Sequence, residues 1–341
     1  MKFDVQLTTY DLAKLPASAR RLERMGFDGL WSWETDRNPY IPLAFAATAT
    51  EKITLGTNIA LAFPRTPMIT AMAAWDIQRA SAGRFLLGLG TQVRAHNERR
   101  LSAPSDSPAE RVKEMIQCIR AIWDTFQNGT RPDFEGRFYQ FRLITPFFNP
   151  GPIDHPRIPI FLAGVKARMC RTAGEVADGF HVHPFHSARY LREVVRPNLE
   201  EGAKKAGRAL ADLELFSPVF TVSGETEAER TAAEATVREQ IAFYSSTPNY
   251  RDVLELHGWR ATGEELSQMA RRGEWAQMAG KISDEMLDTF AVAAPPTKLA
   301  AALRERYEGL VDRISLYVGI PDEGPEEPMQ VFLRAFRQAA P

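Results

Sequence analysis

Short runs of adjacent or alternating apolar residues recur along the chain, separated by longer stretches whose apolar positions fall three and four apart. The short runs predict strands over Phe3–Leu7, Asp28–Trp33, Ile53–Phe63, Arg84–Gly90, Ile158–Ala163, Gly179–His183, Leu213–Val222 and Asp312–Gly319. The long stretches predict helices over residues 13–25, 39–50, 68–81, 167–177, 187–206, 297–307 and 328–339. Leu15, Ala19, Leu22 and Met25 share one face of the first helix, and Gly26 is placed to end it in the left-handed conformation. Ser107, Pro108 and Glu110 read as N-cap, first helical residue and N3 of a further helix. Its apolar face is Val112, Met115, Ile116, Ile119, Ile122 and Trp123. Phe134–Tyr139 reads as a small hairpin, and residues 146–159 as a proline-rich loop.

Residues 225–290 break this rhythm. They predict helices without a strand, opened by capping boxes at Thr226 with Glu229 and at Thr262 with Glu265. Eight strands separated by helices fit a (β/α)8 TIM barrel, one domain over residues 1–341, with a helical insertion between strands seven and eight. A doubly wound open sheet would need a G-x-G-x-x-G turn after its first strand, and none follows Phe3–Leu7. The barrel directs attention to the C-terminal ends of the strands, where such enzymes carry their sites. Those ends include Thr8-Thr9-Tyr10, Trp33-Glu34-Thr35-Asp36, Asn58–Arg65, Gly90-Thr91-Gln92, Gly164-Val165-Lys166 and His183-Pro184-Phe185.

Composition narrows the function classes. The 341 residues are 44% hydrophobic and 25% charged, which excludes collagen, coiled coil and wholesale disorder. Lys and Arg number 42 against 43 Asp and Glu, so the basic excess of a nucleic-acid binder is missing. No apolar run approaches membrane-spanning length, and Asp4 interrupts any N-terminal signal core. Cys118 and Cys170 fall inside helical stretches and read as reduced core thiols of a cytoplasmic protein. The expected partner is a small-molecule substrate, with neither nucleic acid nor membrane; a homodimer is one candidate assembly, and the oligomeric state is not readable from the sequence.

Four groups carry candidate chemistry. Gly164-Val165-Lys166 follows a strand and opens a helix, where free backbone N–H groups bind phosphate; an ordinary tight βα turn reads the same way. His181, Val182, His183 and His186 form H-x-H-x-x-H, either a metal pair on one strand face or a barrel-interior histidine beside one at the mouth. Glu34 and Asp36 follow two tryptophans and suit a general acid; the competing use is a salt bridge to Arg37 or Arg65. Gln92, Arg94, His96, Glu98, Arg99 and Arg100 form a basic loop that could face an anionic ligand or only solvent. The Phe147-Phe148 pair lies in a loop, where its burial requires a neighbour or a ligand.

Taken together, several stretches resemble the bacterial luciferase-like monooxygenase superfamily, and within it the deazaflavin (coenzyme F-420) dependent oxidoreductases related to methylenetetrahydromethanopterin reductase. They are Leu22–Glu34, Ile53–Pro67, Gly83–Leu101, Phe134–Tyr139, Pro159–Phe180 and Val311–Val318, in the family's order along nearly the whole chain. The resemblance implies a non-proline cis peptide at Asn58–Ile59 as a backstop behind the deazaflavin ring. It implies a cofactor-lining loop from Gln92, a phosphate turn at Gly164, Val165 and Lys166, and His183 at the ring edge. Sugar-phosphate dehydrogenases of the family carry a histidine just after the second strand; this chain has Thr35 following Glu34, which argues against that substrate class. Glu34, Asp36 and His183 remain as candidate acids. The expectation is an oxidoreductase passing hydride between F-420 and a small organic substrate, with Lys166, Arg168, Arg94, Arg99 and Arg100 near its acidic tail. The alternatives are an FMN-dependent monooxygenase, a metal-dependent hydrolase built on His181 and His183, and a non-catalytic flavin-binding protein.

Overall fold

The computed structural model describes residues 1–9, 11–321 and 323–339; Tyr10, among the predicted strand-end residues, lies outside them. Among the described residues twelve strands occur in chain order: β1 Lys2–Gln6, β2 Gly29–Ser32, β3 Thr54–Thr57, β4 Ala60–Leu61, β5 Phe85–Gly90, β6 Phe134–Glu135, β7 Gln140–Phe141, β8 Ile160–Gly164, β9 Gly179–Val182, β10 Glu214–Val222, β11 Ala291–Ala293 and β12 Arg313–Leu316. Eight of them pair in parallel in the order β1, β2, β3, β5, β8, β9, β10, β12, and β12 returns to β1. This is the closed (β/α)8 barrel that the alternation of strands and helices predicts. β6 and β7 form the expected hairpin.

The barrel interior is filled from its own strands. Trp31 packs against Phe216, His181 and Phe161, with ring centroids 4.9, 5.2 and 6.5 Å away. Glycines on neighbouring strands make that room: a Cβ on Gly56 would fall on the Trp31 ring, and one on Gly88 would fall on His181 and the Thr57 carbonyl. Outside the barrel, Phe3 packs edge-on against Phe332 and Phe336 of the last helix, Glu327–Gln338. Burying such side chains contributes about 1.5–3 kcal/mol each, so helix-to-barrel contact carries much of the stability.

Most predicted boundaries hold within a few residues, and Gly26 ends the helix Leu15–Met25 at φ 96°. Four expectations change. The strand expected over Ile53–Phe63 is broken into β3 and β4, and β4 pairs only with β5. Ser107 precedes the helix Pro108–Asn128 but lies at φ 46° with no side-chain cap; only its carbonyl takes part, accepting from Arg111 N–H at 2.9 Å. Thr226 and Glu229 do form a capping box, whereas Thr262 lies inside a helix, Arg260–Arg272, that begins two residues earlier. Glu265 instead pairs with Lys281 at 2.6 Å. The basic loop after β5 contains a short helix, Arg94–Arg99.

The insertion folds as helices Glu227–Ser245, Arg251–Glu255, Arg260–Arg272, Trp275–Met278 and Asp284–Phe290. It ends in β11, which extends the sheet beside the C-terminal half of β10, with Phe220 opposite Ala291. Among the described residues no helix is long and apolar enough to cross a membrane.

Candidate active site

The break between β3 and β4 lies at the C-terminal rim, and the Asn58–Ile59 peptide within it is cis. Asn58 N–H donates to the Ser32 carbonyl at 2.8 Å, and Glu34 N–H donates to the Ile59 carbonyl at 3.2 Å. The Ile59 side chain lies against Gly90, where no Cβ would fit. Gln92, two residues past β5, has φ 55° and folds its side chain back to accept from Val93 N–H at 2.8 Å.

Glu34 is not a free acid. Its Oε1 accepts from Arg65 Nη2 at 2.7 Å, and its Oε2 accepts from Arg65 Nη1 at 2.8 Å and from Leu61 N–H at 2.7 Å. Asp36 lies outside the site: its side chain is 69% exposed, accepts from Thr35 Oγ1 and pairs with Arg37 at 3.3 Å. The neighbouring hydroxyl and arginine hold its carboxyl below the usual range, the opposite of what an acid needs. Both carboxylates have thus taken the salt-bridge alternative.

β8 ends at Gly164, and the helix Ala167–Val176 starts behind Lys166 without a side-chain cap. The first intrahelical bonds run from Met169 and Cys170 N–H to the Lys166 carbonyl, so the amides of Ala167 and Arg168 have no carbonyl in their own helix. Such a start attracts an anion. Gly164 itself is required by packing, since a Cβ there would meet Met169. Of the cations expected beside an acidic tail, three are engaged: Lys166 lies 4.0 Å from Asp252, Arg168 pairs with Glu110, and Arg94 pairs with Glu98 at 2.7 Å. For Arg99 and Arg100 the described residues supply no ion pair.

Of the two readings of His181 and His183, the geometry matches the barrel-interior histidine beside one at the mouth. His181 is buried inside the barrel among Trp31, Phe161 and Phe216, with the Thr57 carbonyl as its polar neighbour. His183 lies past the end of β9, half-buried, stacked on Tyr250 at 4.3 Å and edge-on to Tyr244 at 4.7 Å. His183 Nδ1 accepts from Phe185 N–H at 3.1 Å, which leaves its proton on Nε2. Burial, with His186 close by, pushes its pKa down to about 3, so at neutral pH it is a neutral donor rather than an imidazolium acid. His186 is structural: its Nδ1 bonds the His183 carbonyl at 2.8 Å. Among the described residues no group of three His, Cys, Asp or Glu side chains is arranged to hold a metal ion.

Sequence reasoning missed Tyr244 and Tyr250, whose rings pack on His183, and the groups bonded behind Tyr244. Tyr244 and Tyr317 share a hydrogen bond at 2.6 Å, and Tyr317 OH donates to Gln240 Oε1 at 3.3 Å. Gln240 and Tyr244 come from the insertion, and Tyr317 follows β12. Phe147 and Phe148 contact each other at 5.2 Å but remain 89% and 70% exposed, so their expected burial is not found.

The sequence profile of luciferase-like monooxygenases matches residues 2–313. The chain belongs to that family. An uncharacterised protein of Mycobacterium tuberculosis is 46% identical over 324 residues, 95% of each chain. The 5,10-methylenetetrahydromethanopterin reductase of Archaeoglobus fulgidus is 28% identical, covering 89% of this chain and 90% of the relative. The fold superposes on a coenzyme F-420-dependent tetrahydromethanopterin reductase from Methanopyrus kandleri with TM-score 0.76 and 22% identity, over 99% and 97% of the two chains. Members of this luciferase-like family are oxidoreductases or monooxygenases. The rim described above is the C-terminal face of the barrel, the face on which enzymes of this fold carry their sites.

Proposed function

We propose that this luciferase-like protein is an F-420-dependent oxidoreductase acting on a small organic substrate. The observation that carries the reading is the uncapped helix start after Gly164, bordered by Lys166 and Arg168, on the rim that also holds the Asn58–Ile59 bulge and His183. The amides of Ala167 and Arg168 would receive the cofactor phosphate. Ile59, backed by Gly90, would support one face of the ring, and the neutral Nε2–H of His183 would donate to its edge. When bound, the deazaflavin supplies hydride at C5. Likeness to the 5,10-methylenetetrahydromethanopterin reductase of A. fulgidus over nine-tenths of both chains supports the choice of cofactor.

With Glu34 and Asp36 committed elsewhere, the proton-bearing groups of this part of the rim are His183 Nε2 and the Tyr244–Tyr317 pair. With His183 Nε2–H serving the ring edge, a substrate group that gains charge as hydride transfers would draw on the Tyr244–Tyr317 hydroxyls, one of which would leave its bond to the other or to Gln240.

The second reading is an FMN-dependent monooxygenase, and the paired state of Lys166, Arg168 and Arg94 favours it, because FMN has no acidic tail to neutralise. Titration of the purified protein with F-420 and with FMN, at low and high salt, separates the two. Tighter binding of F-420, with an advantage that shrinks as salt rises, is expected. Tighter binding of FMN at every ionic strength overturns the cofactor assignment.

A further inference from the structure

We infer that Glu34 is a positioning residue: with Arg65 it fastens the segment Ile59–Arg65 to the end of β2 and so fixes the wall against which the cofactor ring would lie. The ladder explains why a side chain is needed. β2 pairs with β3 as far as Ser32 opposite Thr57, and there β2 ends. β4 then pairs only with β5, on its other side. The Leu61 amide consequently faces a gap where a strand carbonyl would otherwise stand. Glu34 Oε2 fills that gap at 2.7 Å, and Glu34 N–H returns a bond to the Ile59 carbonyl.

Arg65, four residues past Leu61, closes the loop onto the same carboxylate with two parallel bonds at 2.7 and 2.8 Å. Its guanidinium lies 5.3 Å from the centre of the Tyr40 ring. The two side chains are only 16% and 12% exposed, so the pair is shielded from the screening that weakens surface pairs. One carboxylate therefore serves both ends of the segment. Glutamine in its place offers a single oxygen and turns an NH2 group toward donors.

The functional part of the inference rests on the proposed cofactor site, and the test keeps the two apart. Hydrogen exchange of peptides spanning residues 59–65 is measured in the wild type and Glu34→Gln, alongside titration of each with F-420 and with FMN. Exchange in that segment should rise by about tenfold to a hundredfold, as expected for loss of a charge-assisted bond, while peptides over Arg313–Leu316 stay unchanged. The dissociation constant of whichever cofactor binds the wild type should rise by about tenfold or more. Unchanged exchange at 59–65 overturns the inference. Raised exchange with unchanged cofactor affinity overturns its functional half. Raised exchange in a protein whose wild type takes up neither cofactor upholds the fastening and overturns the proposed function instead. Should Glu34→Gln not fold, Arg65→Lys keeps the charge, removes the paired bonds and carries the same two measurements.

Discussion

Two arginine–carboxylate pairs of the same chemistry stand at different depths in this barrel. Arg313 meets Asp4 with two bonds at 2.7 and 2.9 Å, Trp31 Nε1 adds a third to the carboxylate at 2.9 Å, and Glu214 receives the guanidinium at 3.3 Å. Those side chains belong to β12, β1, β2 and β10, and the Arg313 and Asp4 side chains are 2% and 0% exposed. Arg65 meets Glu34 with equally good geometry at the rim, but the residues tied there are a loop and the end of a strand. The inner pair joins elements that packing already holds on every side; the outer pair ties the β2 side of a segment that strand pairing holds only on its β5 side. Equal contacts thus have unequal consequences: stability at the centre, local order at the rim.

The largest expected effect is at the centre. Arg313→Met alone leaves the Asp4 carboxylate buried with only the Trp31 N–H and should cost about 3–5 kcal/mol in chemical denaturation. Replacing both partners, Asp4→Leu with Arg313→Met, should recover much of that loss, because the desolvation of both charges disappears. A double variant as unstable as the single one would show that the pair is held for more than its charge.

Acid should act between the two pairs. His181 and His186 are buried, and burial pushes their pKa values down to about 3 and about 4. In the unfolded chain a histidine titrates near 6.5. Below that value the unfolded state binds more protons than the folded one, so stability rises with pH. It is complete above about pH 6.5 and declines as pH falls toward 4, at about 1.4 kcal/mol per pH unit for each proton. His186→Gln, which keeps a side chain able to bond the His183 carbonyl, should flatten the dependence of Tm on pH across that window. An unchanged slope would remove His186 from the account.

Glu34→Ala should destabilise less than Arg313→Met, by about 1–3 kcal/mol, since solvent can reach the vacated rim. A loss as large as that of Arg313→Met would erase the distinction between centre and rim.

The same contrast explains what the sequence makes legible. The eight strands and most helices are local patterns, so periodicity locates them to within a few residues. The interruption at Asn58–Ile59 is invisible to periodicity, because ITLGTNIALAF is as apolar as one continuous strand; only the family resemblance marks it. Glu34 is visible as a carboxylate at a strand end, and Arg65 as one candidate partner, but whether they meet depends on where β2 stops. The acidic Asp4 reads as a polar interruption of an apolar run, and its partner lies 309 residues away. The cluster facing His183 is hidden for the same reason: Tyr244 and Tyr317 are 73 residues apart, one in the insertion and one past the last strand. Thr262 with Glu265 shows the opposite failure, a perfect local signature inside a helix whose start lies elsewhere.

A third pair completes the series and carries the smallest expected effect. Lys166 and Asp252 are about half exposed and 4.0 Å apart. At that exposure an ion pair contributes about 0–1 kcal/mol, so Asp252→Asn should leave Tm within about a degree or two of the wild type. What it should change is the charge presented at the helix start after Gly164, since Lys166 is then free to turn toward an anion. Binding of a phosphate-bearing cofactor should tighten by at most about fivefold at low salt, the equivalent of about 1 kcal/mol. The gain should vanish near 1 M salt, where the Debye length falls to about 3 Å. A salt-independent gain would place Lys166 in a desolvated contact like that of Arg65, and no gain at any ionic strength would separate Lys166 from the phosphate site altogether.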